Sequence, residues 1–260
     1  MLAISPFCAM DSPLSYIGGK RRLAKRLISI FPPHKTYGEV FLGGAQVFCK
    51  KEPSDIEVLN DLDGEVVNFF RCAQQHHEEL CRYLKFVLIG RRWFEIFLKE
   101  NPASLTDIQR AARFFYLQKT AYAGLVHGQH YACKVVSAPG LKPDRLPEIL
   151  ESLHRRLARV QIESLPFGEF IKRYDRPTTL FFCDPPYWER KLYNFNFREE
   201  DFRNLADQLQ SIQGKFVLTV DDVPQLRELF SRSKITEVEI PYTAQREAGK
   251  RFRELIITNF

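Results

Sequence analysis

The six cysteines, Cys8, Cys49, Cys72, Cys81, Cys133 and Cys183, form no Cys-x-x-Cys pair, so free and mostly buried thiols in a reducing cytoplasm are the simplest account of them. No apolar run approaches the roughly 20 residues needed to cross a bilayer. Met1, Leu2, Ala3 and Ile4 lack the basic start and long apolar stretch of a secretory leader. A cytoplasmic protein without a membrane span is therefore expected. There is no full Gly-x-Gly-x-x-Gly, and the glycine turn at Gly43 and Gly44 lacks the lysine and Ser/Thr ending of a phosphate loop. Neither a complete dinucleotide fingerprint nor a P-loop is present.

What is there is an ordinary globular composition, 260 residues with 45% hydrophobic content. That suits one large α/β domain, or such a domain carrying an insertion. The net charge of +6 favours an anionic partner without saying which. Basic residues cluster at Lys20, Arg21, Arg22, Lys25 and Arg26, at Arg91 and Arg92, and at Arg155, Arg156 and Arg159. Any one of these clusters reads equally as a solvated helix face.

The chemically richest stretch runs from Thr178 to Trp188. Thr178 to Cys183 are β-formers without polar alternation, the pattern of a strand buried on both faces of a parallel sheet. Pro185 and Pro186 must end that strand, because neither can donate a ladder hydrogen bond. Asp184 is left at the strand's carboxyl end, where open α/β sheets hold their ligands. Its carboxylate and the Pro185 carbonyl are two acceptors that can take both protons of a planar amino group and aim its nitrogen at an electrophile. Tyr187 and Trp188 offer flat rings for a base to stack on. A plain β-turn after a core strand is the alternative.

The other elements support a sheet with that strand at its centre. Tyr16 to Lys20 holds a Gly18, Gly19 step before a helix through Leu23, Leu27, Ile28 and Phe31, and Lys20 there could meet a carboxylate. Thr36 to Phe41 reads as a strand and Leu42, Gly43, Gly44 as the turn into a helix near Ala45. Ile56 to Leu59 is a second strand, and Asp61 at its tip is placed to accept from two ribose hydroxyls, with Asp63 as a helix N-terminal residue. Helices are expected over Leu80 to Leu88, Trp93 to Leu98, Ile108 to Tyr122, Leu146 to Leu157 and Phe167 to Tyr174. Further strands are expected at Val160 to Glu163 and Lys215 to Val220, and Val238 to Tyr242 with Leu255 to Asn259 can form an antiparallel edge.

With these motifs in this order, the chain resembles the Dam-like DNA adenine methyltransferases. Asp184, Pro185, Pro186 and Tyr187 match the Asp-Pro-Pro-Tyr signature of amino-methyltransferases. The resemblance implies a Rossmann-like methyltransferase fold with a mixed, mostly parallel seven-stranded sheet. It implies transfer of a methyl group from S-adenosylmethionine to N6 of a flipped-out adenine in double-stranded DNA, with Asp184, Pro185 and Tyr187 as catalytic residues. Tyr16 and Lys20 then contact the cofactor's methionine part. Glu39, Phe41 and Gly43 match the Glu-Pro-Phe-x-Gly-x-Gly motif, with Val40 in place of its proline and Gly44 one place early. Asp61 and Asp184 complete the cofactor set. Pro166 stands where relatives often carry an acidic residue for the cofactor's adenine, so a backbone group near Phe167 has to serve.

The resemblance also assigns 74–143 to a helical target-recognition insertion, with 1–73 and 144–260 forming the catalytic domain. Within the insertion Arg91, Arg92, Arg110, Arg113, Lys119 and Lys134 could touch phosphates, and Gln118, His127, Gln129 and His130 could reach base edges. No metal is expected, since His127, His130 and Cys133 lack a fourth ligand. The run from Glu189 to Arg198 mixes Arg190 and Lys191 with Tyr193, Phe195 and Phe197, which suits either a loop gripping a nucleic-acid backbone or a lid on the protein itself. Arg246, Lys250, Arg251 and Arg253 form a second basic loop. The family leaves room for a cognate restriction endonuclease acting on the same site. Two rival readings stay open, a methyltransferase for cytosine N4, RNA or a protein amide, and a DNA-binding relic without catalysis.

Overall fold

The computed structural model describes residues 9–133, 140–188, 193–241 and 251–260. Its seven strands are β1 (Thr36–Glu39), β2 (Ile56–Asn60), β3 (Gln161–Glu163), β4 (Thr179–Cys183), β5 (Lys215–Asp221), β6 (Lys234–Pro241) and β7 (Arg251–Thr258). Among the described residues ten α-helices accompany them: α1 (Ala24–Ser29), α2 (Gln46–Lys50), α3 (Gly64–Gln75), α4 (His77–Lys85), α5 (Arg91–Lys99), α6 (Asp107–Thr120), α7 (Leu146–Leu157), α8 (Phe167–Tyr174), α9 (Glu199–Ser211) and α10 (Pro224–Leu229). The sheet order is β3-β2-β1-β4-β5-β7-β6. Every neighbouring pair is parallel except β5 with β7 and β6 with β7.

The chain leaves β1 toward β2 on one side and later returns to place β4 on the other. The order therefore reverses between β1 and β4, which is where open sheets of this kind leave a crevice beyond the strand ends. Glu39 ends β1 and Asp184 follows β4, so both stand at that crevice. The sequence pattern of β4 is explained by its position: all five of its residues are buried. Leu180 and Phe182 face one apolar cluster and Phe181 the other. Next to Phe181, β1 carries glycine, and a Cβ at Gly38 would press on the Phe181 ring at 3.1 Å and on Phe170 at 3.3 Å.

Helices α8, α9 and α10 cover the Phe181 face. The other face is covered by α1, α2, α3 and α7, and the helices of 74–143 join the same cluster through Leu80, Leu84, Phe94, Phe97, Phe114 and Phe115. α6 packs on α3 and α4 on α7, so this region has no core of its own. The expected boundary at 73/74 falls inside α3. Helix α6 starts on a capping box in which Thr106 and Gln109 satisfy each other's backbone N–H groups. Among the described residues no helix is long and apolar enough to cross a membrane.

Candidate active site

A cavity of about 360 Å³ opens over the crevice between β1 and β4, a size within the range of small-molecule sites. Its floor is the β1 end with Glu39 and Phe41, one wall is the glycine turn with Asp61, and the opposite wall includes Lys20, Asp184 and Pro186. Tyr193 to Phe197 close it from above.

The glycine turn is built for close approach. Gly43 has φ +45°, a Cβ there would lie 3.1 Å from the Tyr16 ring, and one at Gly44 would lie 2.8 Å from Tyr16 Cβ. The turn is fastened by Asp61, whose Oδ2 accepts from the Gly43 N–H at 2.8 Å and whose Oδ1 accepts from the Asp63 N–H at 2.9 Å. Burial pushes the Asp61 carboxyl up to about 6, against the pull of those two N–H groups. Asp63 is the N-cap of α3, accepting from the Glu65 N–H. Asn60, which the sequence reading passed over, is 1% exposed and pins the 165–167 segment to β2. Its Nδ2 donates to the Leu165 and Val40 carbonyls and its Oδ1 accepts from the Leu165 N–H.

Phe41, Phe167 and Phe197 gather into an apolar slot in this cavity, with ring centroids 5.4 to 6.0 Å apart. Pro166 lines the cavity beside them, and so does Asp201, one helical turn past Phe197. Asp201 is a carboxylate that sequence reasoning missed; the one available signal was its place in an acidic first turn of α9.

Glu39 is 2% exposed and accepts from the Tyr37 hydroxyl at 2.8 Å. Burial, with the charge of Asp184 adding, pushes its carboxyl up to about 8. Behind it lies a buried ion cluster: Lys51 Nζ is 2.6 Å from Glu57 Oε1, and Arg156 Nη1 is 2.5 Å from Glu57 Oε2.

Around Asp184 the structure brings together residues far apart in sequence. Lys20, 4% exposed, places Nζ 2.7 Å from Asp184 Oδ1 and donates to the Tyr187 hydroxyl at 2.8 Å and the Gly18 carbonyl at 3.1 Å. Glu254 Oε2 lies 3.8 Å from the same ammonium. Burial acts to lower the Lys20 ammonium, but Asp184 and Glu254 overcome it and hold it above its ordinary value. The Tyr187 hydroxyl donates to Glu254, and Thr219 Oγ1 donates to Asp184 Oδ1 at 2.8 Å. Thr219 was visible only as a polar residue in an apolar strand.

Two expectations are corrected. Tyr187 and Trp188 are not open stacking platforms: Tyr187 is 8% exposed and tied to Lys20 and Glu254. Trp188 sits 5.0 Å from Phe202 in the α9 cluster, its N–H held by Asp221. Neither ring lines the cavity, nor does Pro185, which is buried. In the insertion, Arg110 is spent on Glu65 and Asp107, Arg113 donates to the Phe97 carbonyl at 2.6 Å, and Gln118 is 1% exposed. These three are structural, whereas Arg92, His127 and His130 are exposed. Lys20, read as able to meet a carboxylate, meets that of Asp184.

Tyr193 donates to the Ile17 carbonyl at 3.1 Å and stacks on Tyr16, and Asn194 donates to Asp63 at 2.9 Å. The described part of the aromatic run thus spans the cavity mouth. Lys134, Arg190, Lys191, Arg246 and Lys250 lie outside the described residues, as does the side chain of Arg251. Among the described residues no group of three or more His, Cys, Asp or Glu is placed to hold a metal ion.

The residues present fit an adenosyl-bearing cofactor: an apolar slot for a purine, a buried carboxylate at the strand tip for a ribose, and an acidic floor beside Asp184. Residues 16–244 match the family model described as D12 class N6 adenine-specific DNA methyltransferase. Two curated relatives span nearly the whole chain. The type II methyltransferase M1.LlaDCHI of Lactococcus lactis subsp. cremoris is 24% identical over 277 residues, covering 94% of each protein. The type II methyltransferase M.CviBI of Paramecium bursaria Chlorella virus NC1A is 24% identical over 247 residues, covering 93% of this chain and 94% of its own. A solved structure of a candidate rRNA-methylase from Clostridium thermocellum covers 96% of this chain at 7% identity and a TM-score of 0.41, a likeness too remote to bear on function.

Proposed function

This chain belongs to the D12 class of N6 adenine-specific DNA methyltransferases, and from that premise we propose which residues carry out the reaction on DNA. Asp184 accepts from the adenine amino group, with the carbonyl of the adjoining Pro185, outside the lining of this cavity, as the second acceptor for a base that enters from beyond it. The observation that carries this is the placement of Asp184 at the end of β4, on the cavity wall beside Glu39 and held by Lys20 and Thr219. S-adenosylmethionine supplies a methyl group already activated on a sulfonium, so the protein's task is mainly to bring two reactants into line.

Tyr16, Glu39, Phe41, Gly43 and Asp61 would hold the cofactor: Asp61 the ribose, the phenylalanine slot with Asp201 the adenine, Glu39 the methionine end. The target base lies inside a duplex, so it must be flipped out at a cost of a few kcal/mol. Residues 74–143 act as the recognition region, with Arg91, Arg92, Lys119, His127, Gln129 and His130 as its remaining candidates for phosphates and base edges. The type II relatives favour a cognate restriction endonuclease as a further partner, and a DNA substrate favours the cytoplasm as the place of action.

Incubation with S-adenosylmethionine carrying a tritiated methyl group, across DNA, RNA and protein acceptors and followed by nucleoside analysis, should give N6-methyladenine in DNA. Label in N4-methylcytosine or in RNA would overturn the assignment.

Two predictions concern the cofactor alone. Glu39, pushed up to about 8, is largely protonated at neutral pH, and a cationic ligand beside it favours the ionised form. Binding at pH 7 should therefore release close to one proton, read by calorimetry in buffers of different ionisation enthalpy; Glu39→Gln should lose that release. Asp61, pushed up to about 6, can accept from hydroxyls only through its lone pairs and does so best when ionised. Affinity should fall as pH drops through about 6, and Asp61→Ala, which also unfastens the Gly43 turn, should weaken binding by on the order of 10-fold or more, given about 1.5–3 kcal/mol for each hydrogen bond to a charged group.

A further inference from the structure

The reaction leaves a proton to be placed. When the amino nitrogen forms its bond to carbon and the carbon–sulfur bond breaks with its electron pair going to sulfur, an NH2 group becomes NHCH3, and one proton must leave. Resting on the reading above, we propose that Glu254 is the end point of that proton, a positioning residue that acts on Asp184 through Lys20 and Tyr187.

The geometry is a chain of hydrogen bonds that diverges from Lys20, whose ammonium donates to Asp184 on one side and, through Tyr187, toward Glu254 on the other. Asp184 accepts from Lys20 at 2.7 Å, Lys20 donates to the Tyr187 hydroxyl at 2.8 Å, and Tyr187 donates to Glu254 Oε1. With a proton on Asp184, Lys20 first gives one of its own to Tyr187 as Tyr187 gives its hydroxyl proton to Glu254, and the neutral Lys20 amine, which then has a lone pair, takes the proton from Asp184. Each group ends as it began except Glu254, which becomes neutral, so charge and atoms balance without another reactant. Asp184 returns to its ionised form, ready to accept from the next amino group.

Glu254 is suited to this end. It is held in β7 opposite Asp221 of β5 and Val238 of β6 and is 8% exposed. Among the described residues its buried Oε2 has no hydrogen-bond partner, only the Lys20 ammonium at 3.8 Å, which is costly for a carboxylate that stays charged and is relieved when the group takes a proton. The groups that face it are Lys20 from the cavity wall, Asp184 and Tyr187 after β4, and Asp221 of β5. Burial raises its carboxyl above the ordinary 4.5, with Asp184 and Asp221 adding and Lys20 opposing.

A protonated Glu254 cannot receive, so single-turnover methylation should fall as pH drops through a limb lying above 4.5. Glu254→Gln removes that limb and lowers the plateau rate by roughly 100-fold, the low end of what a positioned acid or base contributes. The conservative Glu254→Asp keeps the limb. Cofactor affinity stays within a few-fold in both. A second measurement needs no turnover: a raised carboxyl binds more protons folded than unfolded, so wild-type stability falls as pH rises above 4.5 through its folded value. The melting temperature of ligand-free E254Q should therefore gain on wild type over that window. An E254Q enzyme with the wild-type rate and acid limb overturns the proposal while leaving adenine methylation intact; a wild type that does not methylate adenine overturns the underlying assignment instead.

Discussion

Replacing Asp184 by alanine should reduce methyl transfer by on the order of 10³-fold or more, since it removes a positioned group at the reacting nitrogen, while S-adenosylmethionine still binds. The fold should survive. Asp184 is one of two carboxylates near Lys20, its side chain is 18% exposed, and Glu254 stays 3.8 Å from the ammonium. The cost in stability should therefore stay below the roughly 3–5 kcal/mol of a fully orphaned buried charge. Tritium incorporation into DNA, calorimetric titration with cofactor and a melting curve on the same preparation check the three statements together. A variant that methylates at near the wild-type rate removes Asp184 from the mechanism.

Lys20→Met should have the larger effect on stability. It takes away the only cation within reach of Asp184 and Glu254 among the described contacts, and it removes the Lys20 hydrogen bond to the Tyr187 hydroxyl. Leaving the buried Glu254 and the partly exposed Asp184 without their cation predicts a loss approaching the roughly 3–5 kcal/mol of a broken buried pair, a large part of a typical total of 5–15 kcal/mol, measurable by denaturant unfolding. The same variant separates two roles. Family resemblance gives Lys20 to the cofactor's methionine part, and the structure gives it to Asp184. If the structure is followed, turnover collapses while cofactor affinity changes by a few-fold; if Lys20 grips the cofactor carboxylate, affinity collapses as well.

The strand before Asp184 and the turn at Pro185 and Pro186 were legible because the information is local: an unbroken apolar run and two residues that cannot extend a ladder. Asp61 was legible for a similar reason, as the first acid past a strand that follows a glycine turn. Glu254 was not, since it meets Lys20 and Tyr187 only through the pairing of β7 with β5, and no spacing in the chain announces that register. The inward turn of Trp188 was hidden because a strand's alternation ends at the prolines, after which periodicity no longer tells a ring which way to face. Arg110 and Arg113 misled for the opposite reason, since a basic residue in a recognition region reads as free until a carboxylate or carbonyl is found beside it. The resemblance supplied the reaction; the partners of each side chain came from packing.

The helices of 74–143 have no core apart from the one beneath the sheet. Recognition and chemistry should therefore melt in one cooperative step, with a single calorimetric transition. A substitution that loosens Phe114 or Leu84 would then be scored as lost methylation without touching DNA, cofactor or the reacting base, and only a measurement of folded fraction could tell such a variant from one defective in reading its target.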